Sequence, residues 1–304
     1  MSNGQTPGTE ARPLVAVTGS GGRVGRAIVA ALAHDHAVRT LDRDPRAQAD
    51  LVGETDDPAL LDRLLDGADA LIHVAALHAP HVGDVPDFEF ERINVGGTRA
   101  VIDAAHRAGT RRVLYTSTTA LYGHAATPDG RAGWVTEETQ PQPRTIYHRT
   151  KLAAEALLHD AAEQGAFVLR ILRMSRCFPE AAPLMAAYRL HRGIDARDVA
   201  SAHRLALDDG NARERTWIVS SPTPFAREDV EALWRDARSV IERRAPLLAK
   251  AFARRDWSLP RRIDRVYDSS AIQRELGWRA RFGFEEVLRQ LDSADPEVRP
   301  VGAT

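Results

Sequence analysis

Three glycines spaced three apart, Gly19, Gly22 and Gly25, follow directly on the apolar run Leu14-Val15-Ala16-Val17, and they constrain this chain more than any other feature. A short run without polar interruption reads as a strand buried on both faces. From Arg23 to His34 the residues Val24, Ile28, Ala31 and Leu32 share one face of a helix. Strand, glycine turn and helix in that order let a backbone approach a pyrophosphate at the helix N-terminus. The turn therefore predicts a dinucleotide site built on Gly19, Gly22, Arg23, Val24 and Gly25. A second strand, Ala37 to Leu41, ends at Asp42, 23 residues after Gly19. A carboxylate there accepts hydrogen bonds from an adenosine ribose diol and repels a 2'-phosphate. NAD is the expected cofactor, with NADP as the alternative because Arg43 stands beside the acid.

Strand and helix then alternate. A helix is expected over Asp57 to Leu65 with an acidic cap, a strand over Asp69 to Val74, and a helix over Phe88 to Ala108 that stops at Gly109. The strand Arg112 to Thr116, the helix Thr145 to Ala162 and the strand Ala166 to Leu172 continue the pattern. Such alternation predicts an α/β fold, a Rossmann-type doubly wound parallel sheet, with a small C-terminal substrate-binding region. After Pro179 and Pro183 come a helix from Ala196 to Leu207, a strand from Arg215 to Ser220 and a charged helical stretch from Arg227 to Arg255, its charges read as solvated faces. Arg265 to Asp268 leads into two last helices. The expected division is a disordered tail over 1–12, a cofactor-binding core with the catalytic residues over 13–175, a mostly substrate-binding region over 176–294, and a disordered tail over 295–304.

Composition excludes several function classes. A formal net charge of -1 gives no bulk attraction for nucleic acid. Cys177 is the single cysteine, so no internal disulfide forms, and the polar stretch Met1 to Arg12 lacks the apolar core of a signal peptide. No apolar run reaches the roughly 20 residues a membrane helix needs, and a cytoplasmic location is expected. His78, His81 and Asp84 share a Gly/Pro-containing loop that offers no preorganised geometry, so no metal is expected.

Tyr147 and Lys151 stand four apart on one predicted helix, so their side chains share a face. The chain has five tyrosines and two lysines, Lys151 and Lys250, which makes an accidental pair rare. A phenol at its ordinary pKa of about 10 is a poor base, and a neighbouring ammonium favours the phenolate. The pair thus reads as a proton shuttle.

Tyr147-His148-Arg149-Thr150-Lys151 resembles the YxxxK motif of short-chain dehydrogenases/reductases, and the glycine spacing resembles their extended branch, the NAD-dependent epimerase/dehydratase family. His73-Val74-Ala75-Ala76, Asn94 with Gly97-Thr98, Tyr115 to Gly123, Asp198-Val199-Ala200 and Glu275-Leu276-Gly277-Trp278 are similar to further motifs of that family, so the resemblance runs through nearly the whole chain. It implies that Tyr147 takes a hydroxyl proton while a hydride passes to the nicotinamide, that Thr118 holds the same oxygen, and that Lys151 also binds the nicotinamide ribose. Glu54, Ala75, Ala76, Asn94 and Thr116 complete the expected cofactor set. The resemblance also implies a homodimer through the helices Phe88 to Ala108 and Thr145 to Ala162.

Only Phe178 to Arg197 is available between the sixth strand and the Asp198 motif, which is short for a nucleotide-diphosphate sugar and points to a smaller sugar-like substrate. The stretch Arg173 to Glu180 with Tyr188-Arg189 resembles uronate dehydrogenases, although Thr119 and Ala120 replace the Asn and His that follow their catalytic serine. Arg176 and Arg189 are the expected carboxylate ligands, with His78, Thr118 and Thr119 on substrate hydroxyls. Net oxidation or reduction is expected. An epimerase with tightly held NAD and a non-catalytic dinucleotide sensor are the alternatives.

Overall fold

The protein was analysed as a computed structural model that describes residues 12–300. Eleven residues of the expected N-terminal tail, and 301–304 of the C-terminal one, lie outside the described residues. The chain order is β1 (Leu14–Thr18), α1 (Arg23–Leu32), β2 (Ala37–Asp42), β3 (Leu51–Val52), α2 (Pro58–Leu65), β4 (Ala70–His73), α3 (Asp87–Phe90), a π-helical turn (Glu91–Gly96) and α4 (Gly97–Ala108). There follow β5 (Arg112–Thr118), β6 (Gly133–Val135), α5 (Ile146–Glu163), β7 (Val168–Met174), α6 (Ala182–Tyr188), α7 (Ala196–Asp208) and β8 (Arg215–Val219). Last come α8 (Val230–Arg244), α9 (Pro246–Arg254), β9 (Arg265–Tyr267), α10 (Ser270–Leu276) and α11 (Phe284–Asp292).

Seven strands form one parallel sheet in the order β3-β2-β1-β4-β5-β7-β8, the Rossmann order with one further strand at its edge. Alternation along each strand feeds two cores. Val15 and Val17 of β1, Ile72 of β4 and Leu114 of β5 pack with Ile28, Val199 and Trp217 on one side. Ala16, Leu71, Val113 and Tyr115 pack with Leu61, Val101 and Leu158 on the other. The helix ends follow their local chemistry: the Asp57 carboxylate accepts from the N–H groups of Ala59 and Leu60, and Gly109 closes α4 at φ +65°.

β6 and β9 pair in a separate two-stranded sheet over a third core. The charged stretch from Arg227 onward supplies much of that core through Leu233, Ala237, Val240, Ile241, Leu248 and Phe252, so its apolar face is covered rather than solvated. The expected loose tail from Asp295 is seated as far as it is described. Val298 is buried, Arg299 exchanges backbone hydrogen bonds with Glu180 and Ala182, and Glu297 pairs with Arg23.

The two late motifs meet in space. Trp278 Nε1 donates to the Asp198 carbonyl (3.3 Å) and Ser201 Oγ (3.0 Å), while the Asp198 carboxylate accepts from the N–H groups of Arg281 and Phe282. Trp278 is fully buried against the sheet. Trp278→Ala is expected to lower the unfolding free energy by about 3–5 kcal/mol, read by urea denaturation of the full chain.

Candidate active site

A cleft of about 670 Å³ opens at the carboxyl ends of the strands, beside the point between β1 and β4 where the strand order reverses. Gly19 sits at φ +67°, and a Cβ there would lie 2.7 Å from the Ala75 nitrogen. That close approach joins the glycine turn to the end of β4. Helix α1 has Gly22 as its N-cap, no side-chain cap and no acid in its first turn. The first-turn N–H groups of Arg23, Val24 and Gly25 have no intrahelical partner by construction, and all three residues line the cleft. Asp42 accepts from the N–H groups of Gly21 (2.7 Å) and Asp44 (2.9 Å) and still faces the cleft, where a carboxylate retains capacity for a ribose diol. Arg43, Glu54, Ala75 and Ala76 line the same end. These residues fit a dinucleotide.

Asn94 is placed elsewhere. Its amide is spent on Leu77, from whose N–H it accepts at 2.7 Å and to whose carbonyl it donates, and on the Thr150 hydroxyl. It is buried within the π-helical turn and does not line the cleft, so it braces the turn against α5 rather than touching a cofactor. Thr116 reaches the site through its carbonyl, because its hydroxyl bonds His203 Nε2 (2.8 Å).

β5 and α5 deliver Thr118, Tyr147 and Lys151 to the middle of the cleft. Thr118 Oγ1 accepts from the Ala120 N–H (3.1 Å), which orients the hydroxyl and leaves its hydrogen to donate. Burial pushes the Tyr147 phenol up to about 12, and a hydrogen bond with Thr118 acts against that rise. Lys151 is 2% exposed, donates to the Thr116 carbonyl (2.8 Å) and stands 3.9 Å above the Tyr115 ring. Burial pulls its ammonium down to about 7, with Glu155 one turn further along α5 acting in the opposite direction. The ammonium thus rests on β5 here, and the groups that set the Tyr147 pKa are its burial and Thr118.

Glu155 was not foreseen from sequence. It is 1% exposed, accepts from Ser117 Oγ (2.5 Å) and from Arg173 Nε (3.1 Å) and Nη2 (2.6 Å), and Arg173 Nη1 donates to the Tyr122 hydroxyl (3.0 Å). This network ties α5, β5 and β7 together behind Thr118, Tyr147 and Lys151.

Of the residues expected to hold substrate, His78, Thr119 and Arg176 line the far end of the cleft, and Arg189 does not. Arg189 is 3% exposed and paired with Asp195 (3.2 Å), a structural contact beneath α7. Arg176 carries an ion pair to Glu180 (2.6 Å) at the rim. Thr119 turns its hydroxyl toward the Met174 carbonyl (3.4 Å). His78 is exposed at the cleft wall, its ring tilted against Phe178 with the centroids 6.3 Å apart. Arg192, Arg265 and Tyr267 also line this end, and no spacing pattern had marked them. The stretch from Arg227 to Arg255 contributes nothing to the lining among the described residues.

The lysine makes a stability prediction. An unfolded lysine keeps its proton up to about pH 10.4, whereas folded Lys151 loses it near 7. Above about pH 7 the unfolded state therefore holds the extra proton, and stability rises with pH. Relative to Lys151→Met, the wild type is expected to gain about 1 kcal/mol per pH unit between pH 7 and 9, below the tyrosine range, in urea unfolding. An unchanged difference across that range contradicts it.

Comparison with known proteins places this geometry. The chain is 37% identical over 119 residues to the ceramide reductase of Caulobacter vibrioides, covering 36% of each chain. It is 31% identical over 169 residues to the L-arabinose 1-dehydrogenase (NAD(P)(+)) of Haloferax volcanii, covering 53% of this chain and 65% of that one. The matches span less than two thirds of the length of either relative. A short-chain dehydrogenase/reductase superfamily protein from Agrobacterium tumefaciens, crystallised with bound NAD, superposes with a TM-score of 0.71 at 24% identity over 92% of this chain and 96% of that one, and so shares the fold. The model of the NAD dependent epimerase/dehydratase family matches residues 15–183, and the chain belongs to that family.

Proposed function

We propose that this chain is an NAD-dependent oxidoreductase acting at a secondary alcohol or hemiacetal carbon of a small sugar-like substrate. The observation that carries the reading is confinement. A cleft of about 670 Å³ lies within the range of roughly 300–1,000 Å³ for a single ligand site, and here it serves a dinucleotide and a substrate together. The chain between β7 and α7 adds only the short helix α6, so a monosaccharide-sized substrate suits the remaining space better than a nucleotide sugar does. The named activity of the L-arabinose dehydrogenase relative points the same way.

In this reading the open N–H groups of α1 hold the pyrophosphate and Asp42 holds the adenosine ribose. NAD, when bound, supplies the hydride acceptor. Thr118 donates to the substrate oxygen and fixes its position, and Tyr147 takes the proton from that oxygen. A phenol held at about 12 needs a cation nearby to work as a phenolate, and Lys151, one turn along the same face of α5, is the side chain placed to supply it while it keeps its proton, below about pH 7. The reading includes a homodimer through α4 and α5, beside which Phe88 is 65% exposed.

The test is NADH absorbance with purified protein, NAD and a panel of aldoses, uronic acids and polyols. Turnover with one substrate class is expected, and Tyr147→Phe lowers kcat by about 10²–10⁴. Silence across the panel, with NAD released on denaturation, overturns net oxidation in favour of an epimerase. For the cofactor, Asp42→Ala is expected to weaken NAD about tenfold and to erase discrimination against NADP, read by titration with each dinucleotide.

A further inference from the structure

The substrate end of the cleft carries a charge pattern that proton and hydride transfer do not use. Alternation along β9 turns Arg265 and Tyr267 toward the cleft and leaves Val266 fully buried in the core. Tyr267 Oη donates to the Thr119 carbonyl (3.3 Å), one residue from Thr118, and the Arg265 side chain, two residues before Tyr267 on β9, hydrogen-bonds to Tyr267. Arg192, from the loop after α6, lies over the Tyr188 ring at 4.1 Å from its centroid and also lines the cleft. Asp264 joins the two cations. It accepts from Arg265 Nε (3.0 Å) and Nη2 (2.6 Å), and it stands 3.6 Å from Arg192 Nη1.

Two guanidinium groups thus share one carboxylate, and that carboxylate does not itself line the cleft. The acids that do line it are Asp42, Asp44 and Glu54 at the adenosine end and Glu297, which is paired with Arg23. Arg192 Nε is buried with no partner among the described residues. Both arginines are mostly buried, at 23% and 19% side-chain exposure, and each is held in place by its aromatic or acidic neighbour. Little ordering remains to be paid when they meet a ligand.

We propose that the substrate carries an anionic substituent, a carboxylate or a phosphate, seated between Arg192 and Arg265. Arginine presents a planar fork that matches either oxyanion. The inference rests on the oxidoreductase reading only for which end of the cleft takes the substrate. It moves the anion contact from Arg189, which is occupied beneath α7, to a pair contributed by two distant segments.

Calorimetric titration of the NAD-loaded full chain with D-glucose, D-glucuronate and D-glucose 6-phosphate tests it without requiring turnover. One of the two anionic sugars is expected to bind at least tenfold more tightly than glucose, and which of them does so identifies carboxylate or phosphate. Arg192→Gln and Arg265→Gln are each expected to reduce that preference by about ten- to a hundredfold, with the affinity for NAD as the check that each variant is folded. If Arg265→Gln, which strips Asp264 of its closer partner, no longer binds NAD, Arg192→Gln alone decides. Glucose binding as well as both anions, or a preference that survives the Gln variants, overturns the proposal. A preference without NADH formation leaves the anion seat standing and overturns the oxidoreductase reading. NADH formed from glucose with no preference for either anion does the reverse.

Discussion

Burying the Lys151 ammonium is the constraint around which the middle of this molecule is arranged. A charge at 2% exposure costs several kcal/mol unless its surroundings replace water. Here they consist of the Thr116 carbonyl, the face of Tyr115 and, one turn along α5, the Glu155 carboxylate. Each of these is fixed by something else. Tyr115 stacks on His73, whose Nδ1 pairs with Thr18 Oγ1 at 2.7 Å at the end of β1, and Glu155 is held by Ser117 and Arg173. Because Ser117 lies between Thr116 and Thr118, the same network that accommodates the ammonium also sets the end of β5 from which Thr118 faces the cleft. Removing Glu155 would therefore disturb the Thr118 hydroxyl as well as the charge balance behind it.

The cleft is divided electrically along its length. At the adenosine end the open first turn of α1 and the Asp42 carboxylate suit a pyrophosphate followed by a diol. At the other end Arg192 and Arg265 face inward with Asp264 behind them. The neutral Thr118 hydroxyl and the buried phenol of Tyr147 lie between, where a low local dielectric strengthens any charge that develops on the substrate oxygen. The topology produces this division, since β1 and β4 part at the reversal of strand order while β9 arrives from a separate small sheet.

The parts legible in the sequence were those encoded locally. Gly19 and Gly25 stand where a side chain would collide with the backbone of Ala75 or Gly19, and Tyr147 and Lys151 share a face of one helix, so short spacings revealed both. The alternating strands and helices announced the parallel sheet for the same reason. The parts that were not legible depend on tertiary contacts. Arg192 and Arg265 are 73 residues apart, and they reach one wall because β9 docks on the loop after α6, where the Tyr267 N–H donates to the His191 carbonyl (2.9 Å) and His191 Nδ1 meets the Arg265 carbonyl (2.8 Å). Arg189 was singled out as a carboxylate ligand and Arg192, three residues on, was not, yet the turn after α6 buries the first against Asp195 and presents the second to the cleft. Asn94 matched a motif, but the π-helical turn directs its amide to Leu77 and Thr150. The charged stretch after Arg227 hid an apolar face, because its heavy arginine content masked Leu233, Val240, Ile241 and Phe252.

The account stands or falls on where the substrate hydrogen goes. The most direct measurement uses a sugar deuterated at the oxidised carbon, stoichiometric NAD and mass analysis of both products. The account predicts one deuterium in NADH and an oxidised sugar that has lost it. Deuterium kept in the sugar, with NAD recovered unreduced, would contradict net hydride transfer to the cofactor.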